Sequence, residues 1–381
     1  MIGENGLNSL TKKHKTIEKI YIYIWIIYSS AYVLFSLSNL EKYTFAHNLY
    51  LVIAFGTVIT LFFLFFLVRR YTRKKLLFYI LLLCLAFTIV TYSQSVNFLI
   101  GMLLALLAPY IDVKKLIVID IKLKTELLFV VISLCGLGII ENVEGFAGKV
   151  YKQSLGFGNP NTLTMIAVSI LMEWLFIHCG KVKKYQYLII FLIMYIVSNI
   201  SKGRTSLYTL IFIILLFLLM DLDSQLFYTH ILKLIFAIIT PILAVLCFVV
   251  CNLYRSGNVI VAAIDQFMTN RIYYTTQALI RYGVKFIGTQ TENESLGVDI
   301  GYVYCALKYG LIYLVFICII YSVQFIRFLK HKQIDVVLLM LFYIVASFGE
   351  SHMLSNPIFN VSLLYLLYSN EHIESIDGQL D

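Results

Sequence analysis

The sequence predicts an all-α, polytopic integral membrane helix bundle, with about 12 transmembrane helices in a single domain over residues 1–381 and a long external loop carrying amphipathic helices. Three observations predict it. Of 381 residues, 60% are hydrophobic and only 13% charged, against about 25% charged in an ordinary soluble domain, so no water-soluble surface can be built. The apolar residues gather in blocks of roughly 17 to 22 instead of at amphipathic spacing, which is the signature of bilayer-spanning helices. Backbone polar groups in lipid must be paired within their own segment, so every block reads as a helix and none as a strand. A soluble enzyme, a nucleic-acid-binding domain and a secreted disulfide scaffold are thereby excluded.

In order, the blocks cover 20–37, 48–68, 76–92, 96–111, 125–140, 162–178, 185–200, 206–222, 231–250, 300–321, 336–348 and 357–368. The last two are short. No small-residue cleavage site follows the first block, which is therefore expected to remain as a span. Cytoplasmic loops are enriched in Lys and Arg. With the N-terminus inside, 20 of the 30 positive residues fall in predicted cytoplasmic segments, nine fall outside and Lys308 lies within a span. Lys122 and Lys124 are among the inner ones. Both termini are thus expected in the cytoplasm, with 369–381 as a tail, and the net charge of +9 follows from topology without a polyanionic partner. The seven cysteines form no CxxC pair and have no His at ligand spacing, so they read as small hydrophobes and not as metal ligands.

Residues 252–298 form the long external loop, and loops of that length in compact proteins are usually functional. Ile260, Ile264, Phe267, Met268 and Ile272 recur at three- and four-residue spacing, and Gly283 sits where a helix C-cap belongs. One or two amphipathic helices over the outer mouth are predicted. Four of the eight arginines (Arg204, Arg255, Arg271 and Arg281) are outside, against the topology bias. Arg binds phosphate and carboxylate through a planar fork, so the external face is expected to be the working face.

Arg271 and Arg281 are ten residues apart; on one helix they lie within about 80° and about 15 Å of each other. They could clamp a pyrophosphate or an anionic sugar, or simply be solvated charge. In SKGRTS (201–206), Thr205 or Ser206 can cap the next helix, leaving Arg204 at its N-terminus, where an anion would relieve the unfavourable dipole, unless this is only a short loop with a snorkelling Arg. GFGNPN (156–161) opens the sixth span with Asn161 as N-cap; Asn159 and Asn161 would offer amides to sugar hydroxyls, unless the stretch is only a turn. Glu350 and His352 lie two residues apart between the last two spans, and Asp299 stands beside the tenth; all three are candidates for general base. Glu173 and Lys308 are the ionisable groups deepest in apolar sequence. Glu173 is near a span end and could snorkel, whereas Lys308 could join the arginines. Otherwise the midplane is nearly uncharged.

The order GFGNPN, SKGRTS, a long loop containing TNRIYYTTQALIRYG, then LGVDIGYVYCALKYG and GESHMLSNPIFNVSLLYLL resembles the Wzy-type repeat-unit polymerases of bacterial capsule and O-antigen, relatives of the O-antigen ligases. The resemblance covers residues 156–368. It implies a multi-pass enzyme of the bacterial cytoplasmic membrane that joins undecaprenyl-pyrophosphate-linked glycans, donor and acceptor both lipid-linked, without metal or nucleotide sugar. A flippase and a chain-length regulator are the implied protein partners, and membrane lipid the surrounding one. The family's external arginines map onto Arg204, Arg271 and Arg281. A His-Asn pair of ligase-like members is replaced by Val298-Asp299-Ile300, so the base stays open among Asp299, Glu350 and His352. A lipid-linked oligosaccharide flippase or an O-antigen-type ligase are the alternative functions.

Overall fold

A computed structural model of the chain describes residues 4–68, 72–147, 150–289 and 298–370. Among these, fourteen α-helices occur in the order α1 (Glu4–Tyr32), α2 (Thr44–Leu67), α3 (Arg73–Ser93), α4 (Val96–Leu107), α5 (Val113–Gly136), then strands β1 (Glu144–Ala147) and β2 (Val150–Gln153), α6 (Pro160–Ile177), α7 (Lys184–Ser201), α8 (Arg204–Leu222), α9 (His230–Arg255), α10 (Val259–Phe267), α11 (Arg271–Tyr282), α12 (Gly301–Lys308), α13 (Leu311–Lys330) and α14 (Ile334–Ala346). Eight are long and apolar enough to cross a membrane: α1, α2, α3, α6, α7, α8, α9 and α13. α4 and α14 are shorter apolar helices. The core lies around α6 and α14, while α7 and α9 turn Leu188, Ile196, Ile231 and Val245 outward. Apolar side chains facing outward on long apolar helices fit a lipid surround and no aqueous one.

The expected twelve helical spans are corrected in three places. The fifth begins earlier than 125, because Asp112 caps α5 by accepting from Lys115 N at 3.0 Å; Lys122 and Lys124 therefore belong to a helix and not to a loop. The tenth, 300–321, is two helices. Gly310 breaks it at φ +93°, where an added Cβ would stand 2.4 Å from the Phe286 carbonyl oxygen. The neighbouring backbone takes over the pairing, with Leu311 N donating to Lys285 O at 2.9 Å.

The twelfth span, 357–368, is not an α-helix. A 3-10 turn at Ser351–Leu354, a second at Val361–Tyr365 and a further turn between them, closed by Phe359 N and Asn360 N donating to Asn356 O, run buried beside α13. Irregular backbone at membrane depth survives only when protein satisfies it, and here one face of α13 does so. Tyr313 donates to Leu354 O at 2.8 Å, Gln324 to Leu366 O and Tyr368 O at 2.6 and 3.0 Å, and Arg327 to Tyr368 O at 3.1 Å. The predicted tail 369–381 lies outside the described residues from 371 onward.

At the end of the bundle bearing the long loop, β1 and β2 form an antiparallel hairpin pairing Gly145 with Lys152 and Phe146 with Tyr151, an exception to the all-α expectation. Two helices, α10 and α11, occupy the loop. Their stripe is not turned as the spacing suggests: Ile260, Ile264 and Phe267 are exposed, whereas Val261 and Asp265 face inward. Asp265 is needed inside as the cap of the next helix, so the apolar side is left outward, as in helices that lie in a membrane interface.

Candidate functional site

The site is built from five segments meeting at the loop end: β2, the starts of α8, α11 and α12, and the stretch after α14. Asn270 adopts left-handed backbone (φ 62°) and gives α11 no side-chain cap. Asp265 replaces it: its buried Oδ1 accepts from Ile272 N at 2.7 Å and Tyr273 N at 3.3 Å. A carboxylate at a helix N-terminus also suits the dipole. That cap fixes Arg271, the first residue of α11, pointing inward and 3% exposed.

Arg271 meets two carboxylates. Its Nη1 lies 3.2 Å from Glu350 Oε1 and its Nε 3.4 Å from Asp299 Oδ2, and Nη1 also donates to the Gly349 carbonyl. Ser206 Oγ donates to Glu350 Oε1 at 3.3 Å. The backbones approach closely enough for this because Gly349 abuts Thr205, whose methyl would lie 2.4 Å from an added Cβ, and because Gly301 N donates to Ser347 O at 2.8 Å.

Burial is the largest influence on Arg271 and opposes its charge, but Glu350 and Asp299 more than offset it and hold the guanidinium above its ordinary value. Burial pushes Glu350 up to about 7 against the pull of Arg271, with Asp299 adding to the rise. Half-buried Lys152 of β2 faces the same group: burial and then Arg271 lower its ammonium, Asp299 and Glu350 raise it, and Arg204 lowers it further. Three cations and two carboxylates thus share one locus, with Arg204 exposed at its rim.

Several expectations shift. Arg271 and Arg281 do share one helix, but Arg281 is exposed and lies 5.2 Å from the Tyr282 ring, while Arg271 is locked between acids; they do not form a two-sided clamp. Gly203, not Thr205 or Ser206, stands at the α8 N-cap, and Ser206 turns to Glu350 instead. Asn159, not Asn161, caps α6, accepting from Asn161 N at 2.8 Å with Pro160 at the first helical position, the position that Pro favours. Asn161 is buried and its Oδ1 finds no partner. Glu350 and His352 take different neighbours: the His352 ring stacks on Phe359 at 5.8 Å and meets Tyr304 edge-on at 5.2 Å. Lys308, expected to join the arginines, is buried at the end of α12 and is not among the groups that act on Arg271 and Glu350; beside it Thr289 Oγ1 donates to Leu307 O at 2.9 Å, pinning the helix end. Glu173 does not snorkel; it is buried and paired with Lys124 at 2.5 Å. The interior is accordingly not free of charge.

Sequence reasoning missed Lys152 and Asp265. Lys152 counted only as loop charge, since its hairpin alternates too briefly to be read. Asp265 was legible as the single carboxylate in an apolar helix six residues ahead of a helix start. Among the described residues no cluster of His, Cys, Asp and Glu could hold a metal, and all seven cysteines are free. No family model, curated protein or solved structure matches this chain.

Proposed function

We propose that the chain polymerises undecaprenyl-pyrophosphate-linked oligosaccharide repeats at the outer face of a bacterial cytoplasmic membrane, with both termini in the cytoplasm. The observation that carries this reading is the convergence of Arg271, Glu350 and Asp299 with Lys152 and Arg204 at one end of a multi-pass bundle. The motif order in residues 156–368 supplies the reaction class.

In this reading Arg271 is an organiser. It spends its charge on Glu350 and Asp299 and keeps both in place. Glu350, poised at about 7, takes the proton of the acceptor sugar hydroxyl as it attacks the anomeric carbon, since a base is most effective with a pKa near the working pH. The glycosidic bond forms as the bond to pyrophosphate breaks. Lys152 and Arg204, the cations left over, receive the charge developing on that leaving group.

A lipid-linked oligosaccharide transporter is the second reading, favoured by the buried Asp120, Lys124 and Glu173, because intramembrane charges mark transport pathways. An O-antigen-type ligase would share the site and differ in acceptor. Deletion of the chain separates them. Accumulation of single lipid-linked repeats outside supports the polymerase, unattached full-length polymer the ligase, and repeats retained inside the transporter. Orientation is tested by Lys285→Cys, expected to react with an impermeant maleimide in intact cells, and Lys183→Cys, expected not to react.

A further inference from the structure

A second group of charges lies away from the loop-end site. Asp120 and Lys124 are one turn apart on α5, and Lys124 reaches across to α6. Its Nζ is 2.6 Å from Asp120 Oδ2 and 2.5 Å from Glu173 Oε1, and it donates to Ser169 Oγ at 3.0 Å. Trp25 Nε1 of α1 donates to Asp120 Oδ1 at 2.8 Å. Ser169 Oγ donates its one hydrogen to Glu173 Oε1 at 2.7 Å, which leaves the Tyr343 hydroxyl of α14 to donate to Ser169 across 3.2 Å. None of these six residues is more than 1% exposed.

The donors run out before the acceptors do. Lys124 has three hydrogens and three partners; Trp25, Ser169 and Tyr343 have one each, all used. Asp120 Oδ1 accepts from Trp25, and its Oδ2, which makes no hydrogen bond, lies 2.6 Å from the Lys124 ammonium and is matched by that charge. Glu173 takes two donors on Oε1, and its buried Oε2 has no hydrogen-bond partner. Charge points the same way: two carboxylates against one ammonium leave a net −1, and an uncompensated buried charge costs several kcal/mol unless the group is neutralised. The groups facing Glu173 are Asp120 and Lys124 from α5, Ser169 from its own helix and Tyr343 from α14; no other charged side chain among the described residues stands within ion-pairing distance.

We propose that the Asp120–Lys124–Glu173 cluster is a proton-binding site, with one exchangeable proton carried on Glu173 Oε2. The bound proton converts Glu173 to a neutral acid and leaves Asp120 and Lys124 as a charge-matched pair. Its loss puts a bare negative charge where α1, α5, α6 and α14 meet. A metal cation is a poorer occupant, since hard cations gather several oxygens around themselves and the Lys124 ammonium already holds the centre. The inference is independent of the reaction proposed for the loop end.

Infrared spectroscopy of the full chain in lipid nanodiscs tests it. With the loop-end acid removed by Glu350→Gln, a protonated-carboxyl C=O stretch is expected at neutral pH that moves down in D2O, remains when Asp120→Asn is added and disappears when Glu173→Gln is added. Loss of the band on adding Asp120→Asn with survival on adding Glu173→Gln overturns the assignment, as does its absence from Glu350→Gln alone. If the chain with Glu173→Gln does not insert, Glu350→Gln alone decides: the band must titrate away as pH rises, and with Asp120→Asn added as well. Thermal melting gives a second reading, with wild-type stability falling at alkaline pH and Glu173→Gln losing that fall. Restoration of the alkaline stability by sodium ions would identify a metal site and sink the proposal.

Discussion

Two clusters in this molecule share one composition and differ in everything else. At the loop end, Arg271 holds Glu350 and Asp299; inside the bundle, Lys124 holds Glu173 and Asp120. At the centre of each, two carboxylates meet one cation. The inner cluster is sealed, with all three side chains at most 1% exposed, whereas the Asp299 side chain is 27% exposed and Lys152 and Arg204 stand at the rim of the outer one. The choice of cation follows the task. A planar guanidinium spans two acids from different segments and stays charged, while a compact ammonium fits the narrow gap between two helices. What the contrast teaches is that the same charges can be sealed among helices or open at an edge: the inner group is closed to solvent, and the outer one reaches it through Asp299.

The largest effect is expected at the outer cation. Arg271→Ala strands two acids and should abolish chain extension in membranes supplied with purified lipid-linked repeat, with about 3–5 kcal/mol of destabilisation as well. Arg271→Lys should not restore activity, because an ammonium cannot reproduce the fork. Full activity in Arg271→Lys would reduce the contrast between the clusters to one of charge.

Next comes Glu350→Gln, expected to slow polymer formation by roughly 10²–10⁴ while leaving binding of the lipid-linked repeat intact. Because the working form is the carboxylate, the wild-type rate should climb with pH through about 7 and then level. Stability should run the opposite way. The unfolded carboxyl releases its proton near about 4.3 and the folded one near 7, so between those values the folded state holds the extra proton and raising the pH destabilises it. Glu350→Gln should lose both slopes, read from initial rates and from melting curves.

Lys124→Met should cost about 3–5 kcal/mol by leaving two buried acids unpaired, measured as lost melting temperature in detergent, and adding Glu173→Gln should recover part of it. Catalytic rate per folded molecule should not change. If it falls as far as in Glu350→Gln, the sealed cluster takes part in the reaction.

Smaller still, Lys152→Ala and Arg204→Ala should each remove a charged contact of about 1.5–3 kcal/mol to the leaving group, read as lower kcat/KM. The smallest effects belong to residues whose neighbours are rings: Arg281→Ala should leave the rate unchanged within about twofold, and His352→Ala should fall less than tenfold, small steps on a scale where 1.4 kcal/mol is about tenfold. A drop in His352→Ala as deep as in Glu350→Gln would return the base to the imidazole.

By itself the sequence determined the membrane class, the apolar helices, the presence of helix in the long loop with Gly283 ending it, and Arg271, Glu350 and Asp299 as residues worth watching. Those features are local. Apolar run length sets whether a segment can span, and Arg placed against topology stands out in one dimension. Tertiary structure alone decided the rest. That 357–368 is irregular depends on donors from α13 about 40 positions away; that Arg271 is held between two carboxylates depends on acids 28 and 79 positions further along. Lys124, read as loop charge, is interior because Asp112 starts its helix early and Glu173 of another helix meets it. Interactions over such separations leave no periodic trace in the chain, since they are set by which faces pack together and not by spacing along any one of them.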